Sequence, residues 1–397
     1  MANRKFILYT LAVINFTHIV DSMLIMPMGD IFIEEFQISA HKYSYLIMAY
    51  AFAAFLSSGM GFFFLDSFDR KKALLFTYIG FSVGTFACAF ANTYELLVGI
   101  RFLTGLFGGF IGALVLSIVS DLYKFKERGA AIGIIFAAFS AASALGIPIG
   151  LYLAVVGSWQ LPFMIIGVFG LVITALIFFL FPSMTSHFES VDKSRTMMDT
   201  IRTLTSDSNQ VIALLTGFII ILGHFMIIPF ISPYMIKNVG LTQLEISYQF
   251  FFGGVATIIS GPLVGRFVDK IGVFKVFLTM LILSTIPTML IVTLPEISLP
   301  LAVAVVVLFF ITASGRMIPA NTLISAAASK DNRGSFMSMK SALQQLAIAL
   351  ASLISGLIIF INPEGKFENY PILGIISIAI LSTTIYLIRK LKVAKDN

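Results

Sequence analysis

"DSMLIMP", residues Asp21–Pro27, returns 203 positions later as "HFMIIPF", residues His224–Phe230, with the proline displaced by one place. Each heptapeptide opens on a polar residue inside an apolar run and carries a proline near its end. The same offset of 203 carries Asp66, in "FFFLDSFDRKKALL", onto Asp269, in "GRFVDKIGVFK". Further on, "ERGAAIG" from Glu127 is echoed by "NRGSFMS" from Asn332 at an offset of 205. Three anchors at nearly one spacing describe a chain built from two related halves.

The solvent for these halves is lipid. Hydrophobic residues make up 58% of the 397 and charged residues 12%, against about 25% charged in soluble domains, and mean hydropathy is +0.98. Stretches long enough to cross about 30 Å of hydrocarbon as helices fall near 6–28, 43–65, 73–91, 96–119, 129–156 and 161–181. Six more fall near 210–236, 246–268, 272–292, 299–320, 335–361 and 371–389. The sequence therefore predicts an all-α integral membrane protein with twelve transmembrane helices in two pseudo-symmetric six-helix bundles, residues 1–181 and 210–397. The longest polar insert, "PSMTSHFESVDKSRTMMDTIRTLTSDSNQ" from Pro182, supplies a linker over 182–209. The first apolar run follows only "MANRK" and lacks a small-residue cleavage site, so it reads as a retained helix. The single cysteine, Cys88, excludes an intramolecular disulfide and a cysteine-based metal cluster.

Positively charged short loops stay cytoplasmic. The amino terminus, every second loop and the tail "RKLKVAKDN" hold all but six of the 26 Lys and Arg. Lys42, Lys237 and Lys366 lie in opposite loops, and Arg101, Arg316 and Lys340 lie inside or at the ends of apolar segments. Both termini are thus expected to be cytoplasmic in a multi-pass protein of the inner (plasma) membrane. The net charge of +6 reflects this bias rather than a nucleic-acid footprint.

At these motifs the chain resembles the major facilitator superfamily, and within it the twelve-helix proton antiporters that export drugs and metabolites. "GRFVDKIG" fits the family's G-x-L-x-D-R/K-x-G loop at Gly265, Asp269, Lys270 and Gly272. The first-half copy keeps Asp66, Arg70 and Lys71, with Ser67 and Asp69 where a basic residue and a glycine are expected and Gly61 one place early. "RFLTGLFGG" is similar to the family's R-x-x-Q/T-G-x-G pattern through Arg101, Gly105 and Gly108. "GIPIG" followed by "SWQLPF" is similar to the antiporter proline-glycine motif, although the glycine does not directly precede Pro148. The resemblance implies the major facilitator fold and transport of a small molecule by alternating access.

The residues also carry their own physical reading. Ala138, Ala142, Gly146 and Gly150 recur every four residues and make a smooth ridge for close helix approach. Asp66 and Asp269 close even-numbered helices, either solvated at the membrane boundary or latching neighbouring helix ends on the cytoplasmic side. Asn15, His18 and Ser22 lie at spacings of three and four with Asp21 beside Ser22, a polar stripe expected to face a central cavity. An isolated charge at the bilayer centre costs from about 3 to more than 10 kcal/mol, so an intramembrane aspartate marks a pathway or has a partner. Arg101, at a similar depth on the fourth helix, is the expected partner of Asp21. The pair reads either as a static packing device or as a proton site. Loss of water favours the neutral carboxyl and the guanidinium favours the ionised one. His18 and His224 are secondary proton candidates.

Arg316, in "ASGRMIPANT", has no evident acidic partner in sequence. It can bind an anionic substrate group, snorkel to the cytoplasmic headgroups or hold a second-half gate. Trp159 reads as an interfacial anchor. Met23 and Met226, with neighbouring Phe and Met, are packing residues or the lining of a site for a loosely selected amphipathic molecule. No nucleophile–base pair, H-E-x-x-H or G-x-x-x-x-G-K-[ST] occurs, which argues against an enzyme or an ATP-driven pump. The expectation is a proton-coupled exporter acting as a monomer, with no cofactor, metal or nucleic acid and with small molecule, protons and lipid as partners. A facilitator or symporter for a metabolite such as a sugar is the alternative, and a non-transporting receptor or scaffold a further one.

Overall fold

The computed structural model describes residues 3–64, 68–123, 125–185, 197–328 and 333–392. Its first-half helices are α1 (Arg4–Leu24), α2 (Gly29–Glu35), α3 (Ala40–Phe64), α4 (Arg70–Cys88), α5 (Tyr94–Leu122), α6 (Phe125–Ala141), α7 (Ile147–Val156) and α8 (Gln160–Leu180). The linker contributes α9 (Met197–Ser206). The second half follows with α10 (Ser208–Phe225), α11 (Ile228–Lys237), α12 (Gln243–Ile271), α13 (Val273–Thr293), α14 (Leu299–Ala326), α15 (Arg333–Ile358) and α16 (Tyr370–Lys390). Counting α1–α2, α6–α7 and α10–α11 each as one bent span, and setting aside the linker helix α9, gives twelve spans. Eleven of them are long and apolar enough to cross a membrane by themselves; α4, the twelfth, opens on Arg70, Lys71 and Lys72.

The bends have local causes. Pro148 cannot donate to the turn before it and its ring crowds that turn's carbonyl, and the chain passes through a π-helical turn, Ala142–Gly146, immediately ahead of it. Breaks after Leu24 and Phe225 precede Pro27 and Pro229, so the repeat that aligned these segments in sequence also aligns two helix interruptions. A broken helix inside a membrane needs substitutes for its lost backbone bonds. Tyr43 Oη donates to the Met26 carbonyl at 3.0 Å and lies 3.3 Å from that of Ile25. At the second break Ser355 Oγ donates to Met226 O, and Tyr370 Oη to Ile227 O, both at 2.8 Å.

The chain divides into two compact units, residues 1–24 with 49–199 and residues 25–48 with 200–397. In the first unit α4 packs on α5 and α8, and α1 on α6. Its core joins Leu11, Ile14, Phe81, Leu114, Val115 and Ile177. The small residues of the fifth span do face another helix, which is α1: a Cβ added to Gly146 would meet Val20, and one added to Gly150 would meet Leu24. In the second unit α10 packs on α15 and α16, and α14 on α12 and α13, around Phe277, Leu281, Ile324 and Phe336. This unit includes the segment 25–48: Tyr43 Oη lies within 3.1 Å of Pro229 O, and Lys237 pairs with Asp30 at 3.5 Å and with Glu34.

Two details depart from the sequence expectation. A short antiparallel pair, β1 (Phe360–Ile361) and β2 (Phe367–Glu368), joins α15 to α16. Its turn is made by Gly365 at φ +80°, and its second strand is held by Asn238, whose side chain exchanges two 2.9 Å hydrogen bonds with the backbone of Phe367. Trp159 is 5% exposed and edge-on to Phe163, so it fills the protein interior instead of anchoring at the lipid interface.

Candidate functional site

The first unit holds a closed ionic site. Asp21, on the last turn of α1, is fully buried. Arg101 Nη1 donates to Asp21 Oδ2 at 2.9 Å, and Arg101 Nη2 reaches the Asp21 carbonyl at 3.4 Å. Thr85 of α4 donates to Asp21 Oδ1 at 3.0 Å, so both carboxylate oxygens have a donor. The guanidinium carbon lies 4.3 Å from the centre of the Tyr50 ring, which screens its second face. Arg101 itself is 1% exposed.

Glycine sets this geometry. A Cβ at Gly105 would lie 2.3 Å from the Tyr50 carbonyl oxygen, and one at Gly108 would lie 2.3 Å from the Tyr50 hydroxyl. Only bare backbone lets α5 come close enough to α3 for the Tyr50 ring to cover Arg101. The neighbouring Gly109, which the motif did not single out, is equally tight against Ala54 and Ser57.

The rest of the polar stripe divides. Asn15 Nδ2 donates to Ile135 O of α6 at 3.0 Å. Ser22 returns its hydroxyl proton to Ile19 O of its own helix. His18 stands edge-on to Phe81, and its buried Nε2 has no hydrogen-bond partner among the described residues. Asp21 therefore turns into its own unit, while Asn15, His18, Ser22 and Met23 are half-buried.

The second unit holds a related but different group. Arg316, on α14, is 1% exposed. Its Nη1 donates to Ser284 Oγ of α13 at 2.8 Å, and its Nη2 lies 3.2 Å from His224 Nδ1 of α10. The imidazole stacks on Phe309 at 5.6 Å. Met226 is fully buried at the break between α10 and α11, so it serves packing there.

The loop residues occupy contrasting settings. Asp269 and Lys270 are exposed, and among the described residues neither forms an ion pair. Gly272 closes α12 at φ +92°, a left-handed conformation that favours glycine. Gly265 has open space around it. Asp66 lies outside the described residues. Arg70 is buried and pairs with Asp121 of α5 at 3.3 Å. Asp69, where the family pattern expects glycine, caps α4 by accepting from Lys71 N and also accepts from Ser183 Oγ and Met184 N. Burial pushes the Asp69 carboxyl up, but these hydrogen bonds outweigh it and hold the carboxyl below its ordinary range.

The family model for the Major Facilitator Superfamily matches residues 11–204 and 213–395. The chain belongs to the major facilitator superfamily. Among its relatives is the uncharacterized MFS-type transporter YceJ of Bacillus subtilis (strain 168), 23% identical over 66% of this chain and 67% of that protein. Another is Multidrug resistance protein 1 of the same organism, 29% identical over 38% of this chain and 39% of its own length. In structure it is similar to a bacterial homologue of the human lysosomal transporter Spinster, with a TM-score of 0.75 and 16% identity, covering 97% of this chain and 96% of the other. The major facilitator member described here is a multi-pass membrane transporter of small molecules, not an enzyme. Thr85, Tyr50 and Ser284 are the members of the two polar groups that sequence reasoning missed. A lone hydroxyl on an apolar helix gives no periodic signal, and only the structure brings it beside a charge.

Proposed function

We propose that this transporter is a proton-coupled exporter of small amphipathic molecules, with Asp21 as its proton site and Arg101 as the counter-charge. The observation that carries the reading is the Asp21 carboxylate, fully buried and held by one guanidinium and one hydroxyl. A buried ion pair contributes little net stability, because desolvation consumes most of the Coulombic gain. One whose members can separate or take up a proton couples charge to conformation. The name of the multidrug-resistance relative supports export. His18, in the same unit, is the secondary proton candidate. Asp66 with Arg70, and Gly265, Asp269, Lys270 and Gly272, form the proposed cytoplasmic gating loops. The bundles 1–181 and 210–397 rock about the linker 182–209, both termini face the cytoplasm across the plasma membrane, and the protein works as a monomer.

The test is uptake of an anionic, a neutral and a cationic amphipathic dye into proteoliposomes, with and without an imposed pH gradient. Wild type should concentrate at least one dye under the gradient. Asp21→Asn, which mimics the protonated acid, should equilibrate that dye but not concentrate it. Full gradient-driven accumulation by the Asp21→Asn protein would remove Asp21 from the mechanism. Labelling of single cysteines in a Cys88-free background tests the orientation, and termini on opposite sides would end it.

A further inference from the structure

The first unit's buried cation has its counter-ion. The second unit's does not. Arg316 is 1% exposed, its hydrogen bonds among the described residues go to the neutral Ser284 and His224, and its Nε has no acceptor there. No carboxylate among the described residues pairs with it. Lys340 of α15 is likewise bonded to a neutral group, the Asn321 amide oxygen, at 2.7 Å. The acidic residues on this unit's helices lie elsewhere: Asp30, Glu34 and Glu35 on α2, where Lys237 pairs with the first two, and Glu245 and Asp269 in the first and last turns of α12. A guanidinium taken out of water without a counter-ion costs free energy that neutral hydrogen bonds only partly offset.

The geometry says where a counter-ion would sit. A guanidinium only donates, so His224 Nδ1 must hold a lone pair, and the proton of the neutral ring is then on Nε2. His224 is half-buried, with Phe309 stacked on its face and Phe225 edge-on at 5.5 Å. The half-exposed imidazole therefore offers an N–H donor backed by a full positive charge and flanked by aromatic rings. Such an edge attracts an anionic acceptor and repels a cation. We propose that His224, Arg316 and Ser284 form the subsite that receives the anionic group of the transported molecule, a carboxylate or a phosphate on an apolar, aromatic-compatible body. The inference rests on reading this chain as an exporter and names the chemical class of its cargo.

Four small probes share one ring and differ in charge: benzoate, phenyl phosphate, benzyl alcohol and benzylammonium. Binding to the purified full-length protein is read from thermal unfolding with a thiol-reactive dye, because the buried free Cys88 reports exposure of the core. One or both anions should bind at least tenfold more tightly than the alcohol, and benzylammonium most weakly. The preference between benzoate and phenyl phosphate assigns the group as carboxylate or phosphate. Arg316→Met should lose at least tenfold in anion affinity, while its ligand-free melting temperature equals or exceeds that of wild type, since an uncompensated charge is removed. Arg316→Lys should keep part of the affinity; His224→Leu should lose it and His224→Gln, which retains a donor, should keep most. Equal binding of all four probes, or unchanged anion affinity in Arg316→Met and His224→Leu, would overturn the proposal. The exporter reading fails separately: selective anion binding without gradient-driven transport would refute coupling and leave this subsite standing.

Discussion

The two halves place a buried arginine against the same two helices of the repeat and treat its charge in opposite ways. In the first, α1 offers Asp21, α4 offers Thr85, and the Arg101 charge is neutralised on the spot. In the second, α10 offers His224, α13 offers Ser284, and Arg316 keeps its charge. One aspartate-to-histidine difference at equivalent repeat positions replaces a self-contained ion pair with a cation that has no carboxylate partner among the described residues. A duplicated scaffold can thus carry two tasks, with the neutral pair suited to exchanging a proton and the bare cation suited to holding an anion.

The largest expected effect separates the two arginines directly. Arg101→Met strips a fully buried carboxylate of its counter-charge, and breaking such a pair costs about 3–5 kcal/mol. Arg316→Met removes a charge that no carboxylate balances, and the same reasoning makes it neutral or stabilising. Thermal unfolding of the two variants side by side is the measurement. Similar destabilisation by both would mean that Arg316 is a structural member of its unit and that the asymmetry between halves is superficial.

Next in size is the effect of the close approach that shapes the first site. Gly105→Ala would drive a methyl group to 2.3 Å from the Tyr50 carbonyl oxygen, and overpacking of this kind costs about 1–3 kcal/mol. Gly265→Ala meets nothing within 4 Å, and in a helix interior it should gain up to about 1 kcal/mol. If Gly265→Ala slows transport without loss of stability, the glycine of the loop motif serves movement rather than packing. A destabilised Gly265→Ala, or an undisturbed Gly105→Ala, would contradict this division.

Much of this was legible in the sequence because membrane proteins constrain it tightly. Twenty-residue apolar runs gave the twelve spans and the offset of 203 gave the repeat, whereas the breaks after Leu24 and Phe225, inside runs read as continuous, came only with the structure. Asp21 and Arg101 could be matched by depth alone, since helix rise converts residue number into height. Arg316 could not be matched this way. It lies 215 residues after Arg101, twelve beyond the repeat offset, so nothing in the spacing announced that it would meet His224 as Arg101 meets Asp21. Asp69 was hidden for another reason. It departs from the family pattern at a glycine position, and only the structure supplies its work, capping α4 and gripping the backbone after α8.

A graft sharpens the comparison further. His224→Asp would place a carboxylate oxygen at the position of Nδ1, since both are two bonds from Cβ, and so give Arg316 the partner that Arg101 already has. We expect a gain on the order of 1–2 kcal/mol in thermal unfolding, less than the loss at Arg101 because the new carboxylate must itself be desolvated. Binding of benzoate and phenyl phosphate should disappear in the same variant. A stabilised protein that still binds these anions would show that they sit elsewhere.

The smallest effect concerns a third ionic group, intermediate between the other two. Asp30 is 1% exposed, and Lys237 lies 3.5 Å from it while also pairing with the exposed Glu34. Its compensation is incomplete: burial pushes the Asp30 carboxyl above its ordinary range, and the Lys237 charge pulls it back only in part. The sign of the linkage follows. Packed within the second unit, Asp30 holds a proton more tightly than a solvated aspartate does, so this packing strengthens as pH falls through the raised value toward the ordinary one near 3.9, and weakens as pH rises back through that window. Asp30→Asn fixes the neutral form, so it should melt a degree or two higher than wild type at neutral pH and lose the acid-side rise. Lys237→Met removes the opposing charge, so it should move the window upward. Melting curves from pH 4 to 8 on the three proteins decide the matter. An Asp30→Asn protein less stable than wild type at neutral pH would mean that the lysine, not burial, governs this carboxyl, and would group it with Asp21 rather than between the two halves.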